Sequence, residues 1–300
     1  MSRFIEIVEV GPRDGLQNES RPLEVEEKLE FIQRLEACGV RRLEAVSFVN
    51  PRRVPQMAGA EEVMAALTPG GARRIGLVLN RRGWDRAVAA RCDEANVVVC
   101  ASDGFGIRNQ GAPVKDQVAA MAEIAAVRQH DGGPELSLTI SVAFGCPFDG
   151  EVSEDQVAAI AREAAVAGIG EIALGDTIGV ADPWTVRSRI AAVRKAAPDA
   201  RVRMHFHNTR NTGLANAFAS IEAGVDVLDA SCGGIGGCPF APAATGNIAT
   251  EDLVYMLGRA GFETGLDLDR LIETGNWIGE RLGKAAPSAL TRAGVFPPRQ

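Results

Sequence analysis

With 300 residues, 46% of them hydrophobic, and a formal net charge of −7, the chain can bury a sizeable core and lacks the basic excess of a nucleic-acid surface. No apolar run approaches the roughly 18 residues that cross a membrane, and the opening FIEIVEV carries two glutamates with no cationic segment before it, so no membrane partner and no signal peptide are expected. The six cysteines (38, 92, 100, 146, 232 and 238) include no C-x-x-C pair, which fits reduced thiols and a cytoplasmic location.

In chain order, β-branched runs predict strands over 5–10, 42–47, 75–80, 96–101, 137–144, 171–174, 202–207 and 225–231. Helical patterns alternate with them. In VEEKLEFIQRLEACG, Leu29, Ile32, Leu35 and Glu36 follow the 3–4 spacing and Gly39 is the stop. In VSEDQVAAIAREAAVAG, Ser153 and Gln156 form a capping-box pattern and Gly168 ends the run. Residues 266–282 predict an extra C-terminal helix before a Pro-containing tail. The α/β alternation, without a linker or low-complexity segment, predicts one domain over 1–300. It is a (β/α)8 TIM barrel over about 4–262 with a helical extension over about 263–300. A doubly wound open sheet would need a Gly-rich fingerprint after the first strand, where GPRDG stands instead.

Barrel chemistry sits at the C-terminal ends of strands, so polar residues there carry most information. After strand one, Arg13 and Asp14 in GPRDG read either as a Pro-x-Asp-Gly turn or as an arginine–carboxylate pair at the barrel mouth. On strand two, Glu44 is expected on the same face as Val46; a carboxylate inside a barrel needs a partner, and Arg13 is the nearest candidate. Asp176 ends strand six, where a helix N-cap is the simpler reading. On strand seven, His205 and His207 are two apart and project to one side, which favours a metal. After strand eight comes SCGGIGGCPFAPAATGN, whose Asn247 could complete a coordination sphere. A phosphate-binding Gly-rich loop is its simpler reading. Asp14, His205, His207 and Asn247 together would suit Mg²⁺ or Mn²⁺ better than a closed tetrahedral zinc.

The motifs GPRDGLQNE, LEAVSFVNPRRVPQM, GDTIG, HFHNT and GGIGGCPFAPAATGNIATEDLVYML resemble those of the 3-hydroxy-3-methylglutaryl-CoA lyase family, a branch of the metal-dependent lyase and Claisen-synthase superfamily. The resemblance runs from about residue 6 to 257. It implies a divalent cation held by Asp14, His205, His207 and Asn247, with Arg13 on the substrate carbonyl and Cys238 as a mobile catalytic thiol. Glu44 and Asp176 match further active-site acids, and Arg13, Asn18, Phe148 and Gly236 are expected to contact substrate. It also implies an acyl-CoA substrate cleaved by a retro-Claisen reaction, with the glycines letting the Cys238 loop close as a lid. Several positions depart from the family pattern: Asn208 to Thr212 after the second histidine, Phe148 in place of tyrosine, Ser20 in place of lysine, and ASDGFGIRNQGAP after strand four. These alter pocket and CoA-contacting positions and leave the acyl group open between 3-hydroxy-3-methylglutaryl-CoA, citramalyl-CoA and a longer-branched hydroxyglutaryl-CoA. A Claisen synthase would usually carry a further C-terminal domain, and only about forty residues follow the barrel. A barrel hydrolase would need more histidines than the remaining His130, and a non-catalytic sensor would have no use for Cys238 with Arg13 and four metal ligands. A homodimer is the one protein partner left open.

Overall fold

The computed structural model describes residues 3–238 and 241–297, with 238 and 241–245 described by their backbone alone. Eight parallel strands close on themselves: β1 (Glu6–Glu9), β2 (Arg42–Ser47), β3 (Arg73–Val78), β4 (Glu94–Cys100), β5 (Glu135–Ser141), β6 (Glu171–Asp176), β7 (Arg201–Phe206) and β8 (Val227–Ala230). Each pairs with its neighbours in sequence, and β1 closes the ring on β8 through Glu9 opposite Ala230. This is the (β/α)8 barrel expected from the alternation.

Helices α1 (Val25–Ala37), α2 (Ala60–Ala66), α3 (Arg81–Ala89), α4 (Asp103–Asn109) and α5 (Val114–Asp131) follow the first four strands. Then come α6 (Glu154–Val166), α7 (Pro183–Ala196), α8 (Gly213–Glu222) and α9 (Thr250–Arg259). The chain ends with α10 (Leu268–Leu282) and the short α11 (Leu290–Ala293). The expected capping box on α6 is present: Gln156 N donates to Ser153 Oγ at 3.3 Å and Ser153 N to Gln156 Oε1 at 2.8 Å. Among the described residues no helix is long and apolar enough to cross a membrane.

At β4 and β5 the boundaries differ from the sequence pattern for definite reasons. β4 and β5 begin at Glu94 and Glu135, earlier than the apolar runs, because their first residues are charges held in ion pairs at the barrel base. Arg42 contacts Glu94 at 2.7 Å and Glu171 at 2.6 Å, and Arg73 contacts Glu135 at 2.5 Å. β5 also ends at Ser141 rather than running to 144, since Val142 takes a φ of 50° and turns the chain. The main apolar core lies between the barrel and its helices, with Phe31, Ile124, Leu138 and Val193 fully buried.

β2 carries a correction. Its ladder to β3 slips by one residue, pairing Glu44 with Ile75 but Val46 with Gly76. Alternation breaks at this bulge, so Glu44 and Val46 do not share a face as expected; bulges of this kind re-aim side chains beside active sites.

Candidate active site

At the end of β1 the amides of Arg13, Asp14 and Gly15 all donate to the Val10 carbonyl, at 3.2, 2.8 and 3.1 Å. Pro12 fits the first turn because it has no N–H to satisfy. Gly15 is required by space, since a Cβ there would lie 2.7 Å from Ser231 Oγ. The turn and the charge pair therefore coexist. Arg13 Nη1 donates to Asp14 Oδ1 at 2.6 Å, Nε donates to Glu44 Oε2 at 2.7 Å, and Nη2 lies 2.5 Å from the same oxygen. This is the Glu44 partner anticipated from sequence. The two carboxyls respond in opposite directions. Burial pushes Asp14 up, but Arg13, His207 and His205 outweigh it and hold the carboxyl well below the usual range. Burial wins at Glu44 and raises it, against the pull of Arg13 and Arg203.

β7 aims His205 and His207 to one side, with ring centroids 5.1 Å apart, while Met204 and Phe206 bury in the core. Asp14 Oδ2 sits 3.9 Å from His205 Nε2 and 3.6 Å from His207 Nε2. His205 Nδ1 faces Asp229 Oδ2 at 3.2 Å, which orients the ring and leaves Nε2 toward Asp14. Asn247 is brought in by an antiparallel bridge to His207. Its amide nitrogen donates to Asp14 Oδ2 at 2.8 Å and to the Ile235 carbonyl at 3.3 Å.

One donor atom each from Asp14, His205 and His207 lies within 4.8 Å of the others, so these residues fit a divalent cation. The carboxylate–imidazole set, with the Asn247 amide beside it, matches the oxygen and nitrogen ligands that such an ion takes.

Asp176 is placed otherwise than its simplest reading. It does not cap α7, a role taken by Asp182, whose Oδ1 accepts from Trp184 and Thr185. Its own oxygens accept from the amides of Val180 (2.8 Å) and Ala181 (3.1 Å), closing the GDTIG turn, and burial raises its carboxyl. Asn18 lines the cavity and ties the β1 loop to the Cys238 segment, donating to the Gly237 carbonyl at 3.2 Å. Gly236 has a φ of 108°, and a Cβ there would sit 2.7 Å from Asn247 Nδ2, so its requirement is steric. Phe148 is 38% exposed, packs on Phe105 and lies under the Arg108 guanidinium at 4.2 Å. Neither Gly236 nor Phe148 is among the residues that line the cavity.

The segment read as a loose loop forms an antiparallel ribbon, Gly237–Cys238 against Ala241–Thr245. The Cys238 thiol lies outside the described residues. The other five cysteines are buried; burial pushes Cys92 up to about 12 and Cys100 up to about 11.

Sequence reading missed the supports of the site. Glu9 is fully buried and accepts from Gly11 N (2.7 Å), Cys232 N (2.9 Å) and Thr250 Oγ1 (2.6 Å); burial pushes it up to about 7. Glu251 accepts from Gly233 N at 3.0 Å, and burial pushes it up to about 8. Together they hold the base of the segment leading to Cys238. Asp229 and Arg203, 3.4 Å apart, lie beneath His205. Only Arg203 left a trace in sequence, two residues before His205 on the same strand face.

A cavity of about 1040 Å³ opens above these residues, with Arg13, Asp14, Glu44, His205, His207 and Asp229 at its floor.

The HMGL-like family model matches residues 4–278. The chain is 44% identical to a protein of Chloroflexus aurantiacus named (R)-citramalyl-CoA lyase, over 98% of this chain and 96% of that protein. It is 41% identical to a Pseudomonas aeruginosa protein named 3-hydroxy-3-isohexenylglutaryl-CoA/hydroxy-methylglutaryl-CoA lyase, over 98% of each. Among solved structures, an HMG-CoA lyase from Acinetobacter baumannii in complex with coenzyme A and 3-methylmalate superposes with a TM-score of 0.94 at 37% identity, covering 99% of this chain and 97% of that one. A family model that matches most of the chain, and relatives matched over nearly their whole length, show that the chain belongs to the HMGL-like family.

Proposed function

We propose that the chain is an acyl-CoA lyase that cleaves 3-hydroxy-3-methylglutaryl-CoA to acetyl-CoA and acetoacetate with a divalent cation, Mg²⁺ or Mn²⁺. The observation that carries this reading is the floor of the cavity: Arg13 clamped between Asp14 and Glu44, with His205 and His207 converging on Asp14. In a retro-Claisen cleavage the tertiary hydroxyl loses its proton, its oxygen becomes a carbonyl, and the adjacent C–C bond breaks. The electron pair moves onto the thioester as an enolate.

Asp14, His205, His207 and Asn247 would hold the cation, which when bound lowers the hydroxyl pKa and orients the substrate. Arg13 stabilises negative charge on the thioester oxygen; its fork is already fixed by two carboxylates, so little reorganisation accompanies the reaction. Glu44 keeps that fork in place, and Asp176 holds the turn after β6 beside the histidines. Cys238 delivers the proton to the enolate carbon from a segment based on Gly236, and Asn18 fastens the start of that segment. A cytoplasmic location belongs to the same reading, supported by five buried free thiols.

A second reading, cleavage of citramalyl-CoA to acetyl-CoA and pyruvate, is favoured by the 44% identity to the Chloroflexus protein. A longer-branched hydroxyglutaryl-CoA would also find room in a cavity of about 1040 Å³. The test incubates purified protein and Mg²⁺ or Mn²⁺ with all three thioesters and identifies acetyl-CoA and the co-product. Acetoacetate identifies the first substrate and pyruvate the second. No acetyl-CoA from any of them would overturn the lyase reading.

A further inference from the structure

We propose that Lys284, in the C-terminal extension outside the barrel, is a positioning residue for the active site: through the buried carboxylate of Glu19 it fixes the main chain at Gly236 that braces Asn247. This rests on the reading above for the part that Asn247 plays.

Glu19 follows the Arg13 turn and is only 4% exposed. Its two oxygens serve different partners. Oε2 lies 2.6 Å from Lys284 Nζ, and Oε1 accepts from Gly236 N at 3.1 Å. The main chain of Glu19 is itself held on both sides. Its amide donates to the Leu16 carbonyl at 3.1 Å, and its carbonyl accepts from Gln56 Nε2 at 2.8 Å. The carboxylate is therefore a fixed post between the extension and Gly236. From Gly236 the contacts continue inward. Its carbonyl accepts from Gly246 N at 2.9 Å, and the Ile235 carbonyl before it accepts from Asn247 Nδ2 at 3.3 Å. The same Asn247 nitrogen donates to Asp14 Oδ2 at the floor of the cavity, so a displacement of Gly236 reaches the residues that would hold the cation.

The extension is anchored well enough to act as the fixed end. Past α10, Gly283 has a φ of 71°, its amide donates to the Glu280 carbonyl at 3.1 Å, and Lys284 N donates to the Gly279 carbonyl at 3.0 Å. Farther on, Ser288 N donates to the Gly233 carbonyl at 3.1 Å. Asp252 on α9 accepts from Ser288 Oγ, Ala289 N and Leu290 N, each at 2.9 Å. The extension thus grips the run before Cys238 at Gly233 directly and at Gly236 through Glu19. Both glycines have positive φ, 75° and 108°, where the main chain supplies little restraint of its own. The Lys284 side chain is 46% exposed and that of Glu19 only 5%, so the pair joins an accessible cation to a buried acid. Without the cation a buried carboxylate is uncompensated, and turning toward water relieves it at the cost of its bond to Gly236 N.

The test compares wild type, Lys284→Met and Lys284→Arg by three readouts: hydrogen exchange at the Gly236 amide, Mn²⁺ titration and steady-state rates on the cleaved thioester. Lys284→Met should speed exchange at Gly236 while the barrel strands stay protected. It should lower kcat about ten- to hundred-fold with KM within about two-fold, because a misplacement of about 1 Å costs up to about 10²-fold in rate. Lys284→Arg keeps the charge and should recover both. A merely structural role would lower the melting temperature of Lys284→Met and leave kcat unchanged below the transition, which overturns the proposal. Exchange at Gly236 identical in wild type and Lys284→Met, or a loss that Lys284→Arg does not recover, also overturns it. If wild type cleaves no thioester, the lyase reading falls alone and Mn²⁺ affinity takes the place of kcat. Faster exchange with binding weakened about ten-fold in Lys284→Met then upholds the positioning role, and unchanged binding overturns it.

Discussion

Replacing Arg13 separates the two roles that the structure gives one side chain. Arg13→Met leaves Asp14 and Glu44, 15% and 5% exposed, without the cation they share. Removing one partner of a buried ion pair costs about 3–5 kcal/mol, and the upper part of that range applies because two carboxylates lose a partner. A divalent cation bound at Asp14 would replace part of the lost charge. The stability gap to wild type should therefore narrow when saturating Mn²⁺ is added. Arg13→Lys keeps a charge but cannot span both acids with one fork, so it should lose about 1.5–3 kcal/mol, the worth of one charged hydrogen bond. If Arg13 also stabilises the enolate oxygen, kcat should fall about 10²–10³-fold in either variant, the usual cost of removing such a donor. Urea unfolding with and without Mn²⁺, set beside steady-state rates, separates the two effects. Wild-type turnover in Arg13→Lys would reduce Arg13 to a turn residue. An unfolding free energy in Arg13→Met within about 1 kcal/mol of wild type would refute the ion-pair reasoning.

Three further outcomes are expected. His207→Ala should weaken Mn²⁺ binding by at least about 10-fold while the far-ultraviolet spectrum stays native; equal titration curves would remove His207 from the metal site. Cys238→Ser should lower kcat by about 10²–10⁴ with substrate and metal affinity little changed, and alkylation should modify Cys238 first, because the other five thiols are buried. Wild-type turnover in the serine variant would make the thiol incidental. Burial pushes the Glu251 carboxyl up to about 8, above the usual glutamate range, so the folded state holds the extra proton and stability falls as pH rises through that window. Glu251→Gln should remove the decline, at most about 1.4 kcal/mol per pH unit; identical slopes in urea unfolding from pH 5 to 8 would show that Glu251 ionises normally.

Local sequence determined the alternation of strands and helices, the capping box at Ser153, the turn at GPRDG and the common side of His205 and His207. These depend on side-chain period and turn chemistry within a few residues, which a linear reading can see. The pairing of Arg13 with Glu44 was also legible, because a buried charge demands a counter-charge and β1 neighbours β2 in any such barrel. Tertiary structure alone decided the rest. The bulge in β2 is set by its register on β3, so alternation within β2 could not reveal that Val46 leaves the face of Glu44. Glu9 and Glu251 resemble ordinary strand and helix glutamates until Cys232 and Gly233, distant or loop-borne, bring their amides to them. Asp229 becomes a support for His205 only because β8 lies beside β7. Residue type and spacing encode which chemistry is available, whereas desolvation and charge balance depend on which strands become neighbours.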